Sequence, residues 1–217
     1  WSEVLWKECA YMELHISFNV ADLEHALDVA RRVDAHVDGL HIGSQLLFKY
    51  GESVISKFRE AFPNKTLFVD SKIVDRGRET TSLFCATKAN WITVMAGAKR
   101  ESIHAAATTA REAGVKVMID LLDARSAGQM ALESQSLGAA ALRFRYNPAD
   151  DELVLKDRWD MVKGNATIPI MVSNINDLQA LERVIQLGPD FIVVDDMVVG
   201  SDNPEQAVKE ISDLIKN

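Results

Sequence analysis

Cysteine and long apolar runs are scarce in this sequence, and each shortage excludes a class of protein. Among 217 residues there are two cysteines, Cys9 and Cys85. Two thiols are too few for a disulfide framework or a zinc cluster, so we expect a reducing, cytoplasmic location. No apolar run approaches the roughly 20 residues of a membrane-spanning helix, and the first residues lack the pattern of a secretory signal. We therefore expect no membrane partner.

Basic residues are also in the minority. The chain has 24 Lys and Arg against 32 Asp and Glu, which gives a formal net charge of −8. A nucleic-acid-binding surface needs a local excess of basic side chains, so no nucleic-acid partner is expected. The charge says little about a small-molecule substrate, which meets only the charges close to it.

Short β-branched runs alternate with helical stretches eight times along the chain. The predicted strands are 13–18, 37–42, 66–69, 91–95, 115–119, 140–144, 168–172 and 191–194. Eight such units predict a single (β/α)₈ TIM barrel. The alternative is a doubly wound open sheet, but no G-x-G-x-x-G sequence follows the first strand.

The predicted barrel domain covers residues 13–217, and residues 1–12 form a short N-terminal extension. This extension is apolar, with Trp1, Trp6, Tyr11 and Met12. It is not part of the eightfold pattern. We expect it to plug the bottom of the barrel or to pack at a subunit contact.

Chemistry in such barrels takes place at the carboxyl ends of the strands. Charged side chains are rare inside strands, so those at strand ends are candidates for function. The candidates for contact with substrate are Asn19, His41, Asp120, Arg143, Arg145, Ser173, Asn174, Asp195 and Asp196.

The most specific cluster is Asp70-Ser71-Lys72-Ile73-Val74-Asp75. Side chains two apart on a strand share a face, so Asp70 and Lys72 are expected to point together into the barrel mouth. A carboxylate beside an ammonium keeps both ionised, and a second carboxylate positions the lysine or receives or releases a proton. The alternative is a salt-bridged strand end. Asp75 lies beyond the strand, where it is free to reach a neighbouring site or subunit.

Asp-x-Lys-x-x-Asp after the third strand of an eightfold barrel resembles the orotidine 5′-monophosphate decarboxylase suprafamily. The closer similarity is to its branch of 3-hexulose-6-phosphate synthases and 3-keto-L-gulonate-6-phosphate decarboxylases. It extends from about Leu14 to Ile215, with supporting stretches at 41–44, 91–94 and 187–194.

The resemblance implies a magnesium-assisted carbon–carbon lyase, of the aldolase or decarboxylase type, that acts on a sugar phosphate through an enediolate intermediate. It implies Asp70 as a metal ligand and Lys72 as the electrostatic or proton-transfer group. Asp75 would enter the neighbouring subunit's site, which implies a homodimer with sites at the subunit interface. Asp120, at the end of the fifth strand, matches an acidic position of the family.

Two expected carboxylates are missing from this sequence. The family has an acid at the end of the first strand, where we place Phe18, and a Glu after the second strand, where this chain has His41. Imidazole suits zinc, iron, copper or nickel better than magnesium. His41 is therefore one of two things. Either it binds, together with Asp70, a metal ion other than magnesium, or it is a hydrogen-bonding residue. The metal is accordingly magnesium, a transition metal or none.

This chain also differs from the family at the positions that bind phosphate. Glycine-rich backbone after strands seven and eight binds phosphate in the family, whereas this chain has Ser173-Asn174 and Asp195-Asp196 there. A carboxylate about 4 Å from a phosphate repels it by about 4 kcal/mol at an effective dielectric constant near 20. We therefore expect no phosphate binding of the usual kind.

Arg143 and Arg145 lie two apart on the sixth strand, so both can face the mouth. Arginine binds carboxylate or phosphate bidentately. The two arginines are therefore candidates to bind an anionic group of the substrate, on the side of the mouth opposite Asp195 and Asp196. The alternative is a structural ion-pair network of these two arginines with the two acids.

Three hypotheses of function remain. The first is a carbon–carbon lyase resembling hexulose-phosphate synthase, with a diverged substrate. The second is a non-catalytic homologue that binds a ligand or a partner protein. The third is a transition-metal enzyme that uses His41 and Asp70, with Asp195 as a further ligand.

Overall fold

Eight parallel strands close into one barrel in which each strand pairs with its neighbours in chain order. The computed structural model describes residues 12–216. The strands are β1 (Glu13–Phe18), β2 (Gly39–Ile42), β3 (Thr66–Ile73), β4 (Trp91–Met95), β5 (Lys116–Asp120), β6 (Ala141–Arg145), β7 (Ile170–Ile175) and β8 (Phe191–Val194). The closing pair, β1 with β8, is parallel like the others. The predicted (β/α)₈ barrel is confirmed.

Helices follow the strands and form the outer layer. They are α1 (Leu23–Val33), α2 (Ser44–Tyr50), α3 (Ser53–Ala61), α4 (Gly77–Cys85), α5 (Arg100–Glu112), α6 (Ala127–Ser134), α7 (Glu152–Lys163), α8 (Leu178–Leu187), α9 (Asp196–Val199) and α10 (Pro204–Lys216). Within residues 12–216, no helix has both the length and the hydropathy that crossing a bilayer requires.

Each helix buries one apolar face against the barrel, and α1 illustrates how the sequence produces this. The Asp22 side chain accepts a hydrogen bond from the His25 backbone N–H and so caps the helix start. Leu23, Leu27 and Ala30 recur at helical spacing and are buried.

The barrel interior is layered, and this layering sets the position of the site. A cluster of buried residues takes one from each of β3 to β8, and its members are Phe68, Trp91, Met118, Ala141, Met171 and Val193. Side chains two residues further along a strand share its face and lie closer to the carboxyl ends. On these six strands that next position is polar, with Asp70, Thr93, Asp120, Arg143, Ser173 and Asp195. The mouth is therefore a polar layer on an apolar floor.

Two local predictions need correction. The stretch 45–62 forms two helices rather than one, because Gly51 adopts a φ of +62° and its N–H caps the Leu47 carbonyl at 2.8 Å. Strand β3 continues to Ile73, beyond the predicted end at Val69. The predicted extension, residues 1–12, lies outside the described residues apart from Met12, and its role stays a prediction.

Candidate active site

Lys72 lies in an irregular stretch of β3, where the register with β4 shifts between Val69 and Ile73. Its φ is +44°, a conformation that costs a non-glycine residue about 1–2 kcal/mol. The Lys72 N–H donates to the Thr93 hydroxyl at 3.0 Å, and the Ser71 hydroxyl donates to the Thr93 carbonyl at 2.8 Å. Backbone strain held in place by neighbouring groups is typical of functional sites.

Asp70 lies beside Lys72, as the sequence predicts. Its Oδ2 is 2.9 Å from the Lys72 Nζ, and its Oδ1 accepts from the Thr93 hydroxyl at 3.1 Å. The guanidinium of Arg143 is 3.4 Å from the same Oδ1. Asp70 is nearly buried, whereas the Lys72 side chain is 26% exposed. The lysine is therefore the group of this pair that reaches the open mouth.

Asp120 joins the cluster from β5 and is completely buried. Arg145 donates to its two oxygens, from Nε at 3.1 Å and from Nη2 at 2.7 Å. Burial raises the pKa of Asp120, but the hydrogen bonds of Arg145 and the charges of Arg143, Arg145 and Lys72 outweigh it. The pKa of Asp120 consequently lies below its ordinary value, and the carboxylate is ionised at neutral pH.

Three cations thus surround two carboxylates. Lys72 and Arg145 are partly exposed, at 26% and 23% of their side chains, while Arg143 is buried beneath them. The excess of positive charge at the surface of the mouth favours an anionic or electron-rich ligand.

His41 lies one layer deeper than this cluster. Its ring stacks on Phe68 at a centroid distance of 4.3 Å, and its Nε2 is 2.9 Å from the Nδ1 of His15. Burial, His15 and the charge of Arg143 hold the pKa of His41 well below its ordinary value. The imidazole is therefore neutral at neutral pH and is a partner in a buried hydrogen bond.

Ser173 and Asn174 both take part in hydrogen bonds that organise the mouth. The Ser173 hydroxyl accepts from the Nε of Arg143 at 2.9 Å. Asn174 is exposed, has a φ of +70°, and donates from its side-chain amide to the Tyr146 carbonyl at 2.8 Å.

Asn19 is the β1 residue that reaches the mouth. Phe18 packs the other way, against Phe58 of α3, at a centroid distance of 5.5 Å. The Asn19 amide donates to Asp195 at 3.1 Å, and the other oxygen of Asp195 accepts from the Asp196 N–H at 2.9 Å. Phe18 ends β1 as predicted, but it does not occupy a position that faces the mouth, because alternation turns its side chain towards the helices.

The predicted alternative network of arginines with Asp195 and Asp196 does not form. Among residues 12–216, the ion pairs of Arg143 and Arg145 within 4 Å are with Asp70 and Asp120. Asp196 is exposed at the start of α9. Asp75 is also exposed, and its backbone carbonyl accepts from the Thr80 hydroxyl.

Thr93 is the important residue that sequence reasoning missed. Its hydroxyl accepts from the Lys72 backbone and donates to the Asp70 carboxylate, so it fixes both members of the predicted pair. Its place on β4, next to β3 in any eightfold barrel, is the signal that would have identified it.

The mouth does not fit a magnesium ion. Mg²⁺ requires near-octahedral oxygen coordination, but the oxygens of Asp70 and Asp120 already face Lys72, Arg143 and Arg145. In the described part of the chain, no group of three or more His, Cys, Asp or Glu side chains is arranged to hold a metal.

Comparison with known proteins identifies the class. Residues 12–211 match the orotidine 5′-phosphate decarboxylase / HUMPS family, so the chain belongs to that family.

Within the family the chain resembles hexulose-phosphate synthase. It is 26% identical over 205 residues to the 3-hexulose-6-phosphate synthase of Mycobacterium gastri, a match that covers 92% of this chain and 98% of the relative. A crystal structure of 3-hexulose-6-phosphate synthase superposes with a TM-score of 0.85 at 25% identity and covers 94% and 100% of the two chains.

The 3-keto-L-gulonate-6-phosphate decarboxylase of Vibrio cholerae shares the fold, with a TM-score of 0.75 at 22% identity over 94% of this chain and 98% of that one. The prediction of a carbon–carbon lyase resembling hexulose-phosphate synthase is confirmed by these similarities.

Proposed function

We propose that this lyase makes or breaks a carbon–carbon bond beside a carbonyl, through an enediolate-like intermediate held over Lys72. The observation that carries the proposal is the position of the Lys72 ammonium, 2.9 Å from Asp70 and 3.8 Å from Asp120, on a strained backbone at the mouth. A cation fixed before the reaction stabilises charge that develops on an oxygen without reorganisation at that moment.

The individual roles follow from exposure and contacts. Lys72 is the exposed ammonium of the cluster, so it holds the enediolate oxygens or carries the proton to the reacting carbon. Asp70 orients the lysine, and Thr93 orients Asp70. Asp120 is engaged by Arg145 through Nε and Nη2, which leaves Nη1 of Arg145 without an acceptor among the described residues.

The substrate in this proposal is a small hydroxycarbonyl compound with an anionic group. A cavity of about 360 Å³ adjoins the mouth and is lined in part by Arg145, Arg158, Asn147 and Asn174. Guanidinium and amide groups bind phosphate or carboxylate well. Asp195 and Asp196 repel an anion on the β8 side, so we place the anionic group on the β6 side.

The proposal includes a homodimer in which Asp75 reaches the partner's site. Phe48 is 84% exposed, and it lines a cavity of about 410 Å³ together with Leu83 and Asp70. Exposed apolar side chains so close to the site are the surface that a second copy would cover. A cytoplasmic location remains our expectation from the cysteine content.

The experiment is an assay of carbon–carbon cleavage by the purified protein. The probes are 3-hexulose 6-phosphate and 3-keto-L-gulonate 6-phosphate, the compounds in the names of the relatives, followed by the corresponding dephosphorylated sugars and sugar acids. Products are identified by NMR in D₂O, which also reports exchange of the proton beside the carbonyl. We expect Lys72→Ala to lose at least about 100-fold in turnover.

The matched control is Lys156→Ala, which removes an exposed lysine of α7 that pairs with Asp160. It should retain the wild-type rate. Retained turnover in a folded Lys72→Ala protein would contradict the assignment of Lys72. Binding of these compounds without turnover or proton exchange would favour the non-catalytic homologue.

A further inference from the structure

Arg143 is the buried cation of the mouth, with its side chain only 4% exposed. Its Nη1 is 3.4 Å from one oxygen of Asp70 and 3.8 Å from one oxygen of Asp120, and its Nε donates to the Ser173 hydroxyl at 2.9 Å. The guanidinium therefore lies between the two carboxylates, below the level that solvent reaches.

Two buried carboxylates facing each other need a counter-charge, since their repulsion and their desolvation both disfavour ionisation. A divalent cation is one source of that charge, and a guanidinium is another. Here the guanidinium is built into the chain, and Ser173 fixes its orientation.

We infer that Arg143 takes the place of a divalent metal, so that the mouth binds no metal ion and the protein works without one. Arg143 is in this sense a positioning residue, because it holds the carboxylates that in turn hold Lys72. The statement that the protein works without a metal ion rests on the proposed function. The statement that the mouth binds no metal ion does not, since metal binding can be measured without a substrate.

The surrounding residues support the inference independently. His41, the other candidate ligand, directs its Nε2 to His15 and stacks its ring on Phe68. The oxygens of Asp120 are engaged by Arg145 and by the Leu122 backbone N–H. A divalent ion entering here would meet three cations at short range.

The test measures metal binding by the full chain. Mn²⁺ is titrated into the protein and free Mn²⁺ is followed by electron paramagnetic resonance, with Mg²⁺ titrated by calorimetry. For the wild type we expect no saturable binding below about 1 mM. Arg143→Met should gain at least about tenfold in Mn²⁺ affinity, because it leaves the carboxylates under-compensated. Arg143→Lys keeps the charge and should behave as the wild type.

Circular dichroism checks the fold of each variant, and Arg143→Gln replaces Arg143→Met if the latter does not fold. One equivalent of Mn²⁺ bound by the wild type and lost in Asp70→Asn would overturn the inference. Folded Arg143→Met and Arg143→Gln proteins that gain no Mn²⁺ affinity would also overturn it. A lyase activity that is absent, with the metal results as expected, would contradict only the proposed function.

Discussion

At the scale of single residues, the buried imidazoles of β1 and β2 make the stability of the fold depend on pH. His41 bonds to His15 at 2.9 Å, and His15 continues to Glu13 at 3.0 Å. The bond between the two rings needs one nitrogen to accept, so the folded state requires an unprotonated nitrogen there. Burial, His15 and Arg143 depress the pKa of His41 in agreement with this arrangement.

A first prediction concerns stability against pH. The folded pKa of His41 lies below its unfolded value of about 6.5, so the unfolded chain binds the extra proton and stability falls as the pH drops below that value. The free energy of unfolding should decrease by up to about 1.4 kcal/mol per pH unit from this group. His41→Gln should reduce that slope in urea unfolding between pH 5 and 8.

The control is His104→Gln, which removes an exposed imidazole on α5. Its slope should match the wild type. An unchanged slope in His41→Gln would show that His41 is protonated in the folded state as readily as in the unfolded one.

A second prediction concerns Thr93. Thr93→Val leaves an oxygen of Asp70 and the N–H of Lys72 without their shared partner. We expect a loss of about 1–3 kcal/mol in the free energy of unfolding, measured in urea, and lower turnover. Thr93→Ser keeps the hydroxyl and should retain most of both. Equal losses in the two variants would mean that the methyl group, and not the hydroxyl, matters.

At the scale of elements, the irregular end of β3 decides where the chemistry lies. A regular strand would direct Asp70 and Lys72 to the same face by alternation alone. The actual backbone brings the two side chains together through a positive φ at Lys72 and hydrogen bonds to β4. Helix α4 then begins at Gly77, close against α5, which fixes the segment that carries Asp75.

A third prediction tests this close packing. A Cβ at Gly77 would lie 2.0 Å from the Ser102 carbonyl oxygen, a backbone atom that cannot move alone. Gly77→Ala should therefore cost about 3 kcal/mol in the free energy of unfolding. Gly114→Ala is the control, since its Cβ meets nothing within 4 Å and only its φ of +73° is unfavourable. It should cost about 1 kcal/mol.

Equal costs in the two alanine variants would show that α4 and α5 separate readily. Urea unfolding at constant pH gives both values.

At the scale of the whole molecule, barrel closure collects ion-pairing side chains from β3, β5 and β6 and hydroxyl groups from β4 and β7 into one cluster. The apolar surface beside that cluster remains uncovered in the single chain. Phe48, Val74 and Leu83 are more than half exposed, at 84%, 54% and 59%. The proposed homodimer buries this surface and brings Asp75 to a neighbouring site.

A fourth prediction follows from that proposal. Phe48→Asp places a charge on the proposed contact surface and should convert dimers into monomers in sedimentation equilibrium, with an unchanged circular dichroism spectrum. Leu132→Asp, at a 58% exposed leucine on α6, should leave the dimer intact. A wild-type chain that sediments as a monomer at about 10 µM would contradict the proposed dimer.

The amino-acid sequence by itself determined the number of strand–helix units, the end of the barrel that carries the chemistry, and the pairing of Asp70 with Lys72. Local periodicity is sufficient for the first two conclusions, and closeness in sequence for the third. The positive φ at Lys72, which brings its side chain to Asp70 in the folded protein, does not follow from the strand pattern. Only the tertiary structure decided that His41 lies below the cluster and that Arg143 and Arg145 pair with Asp70 and Asp120. The depth of a side chain depends on strand tilt and stagger, which arise when the whole barrel closes.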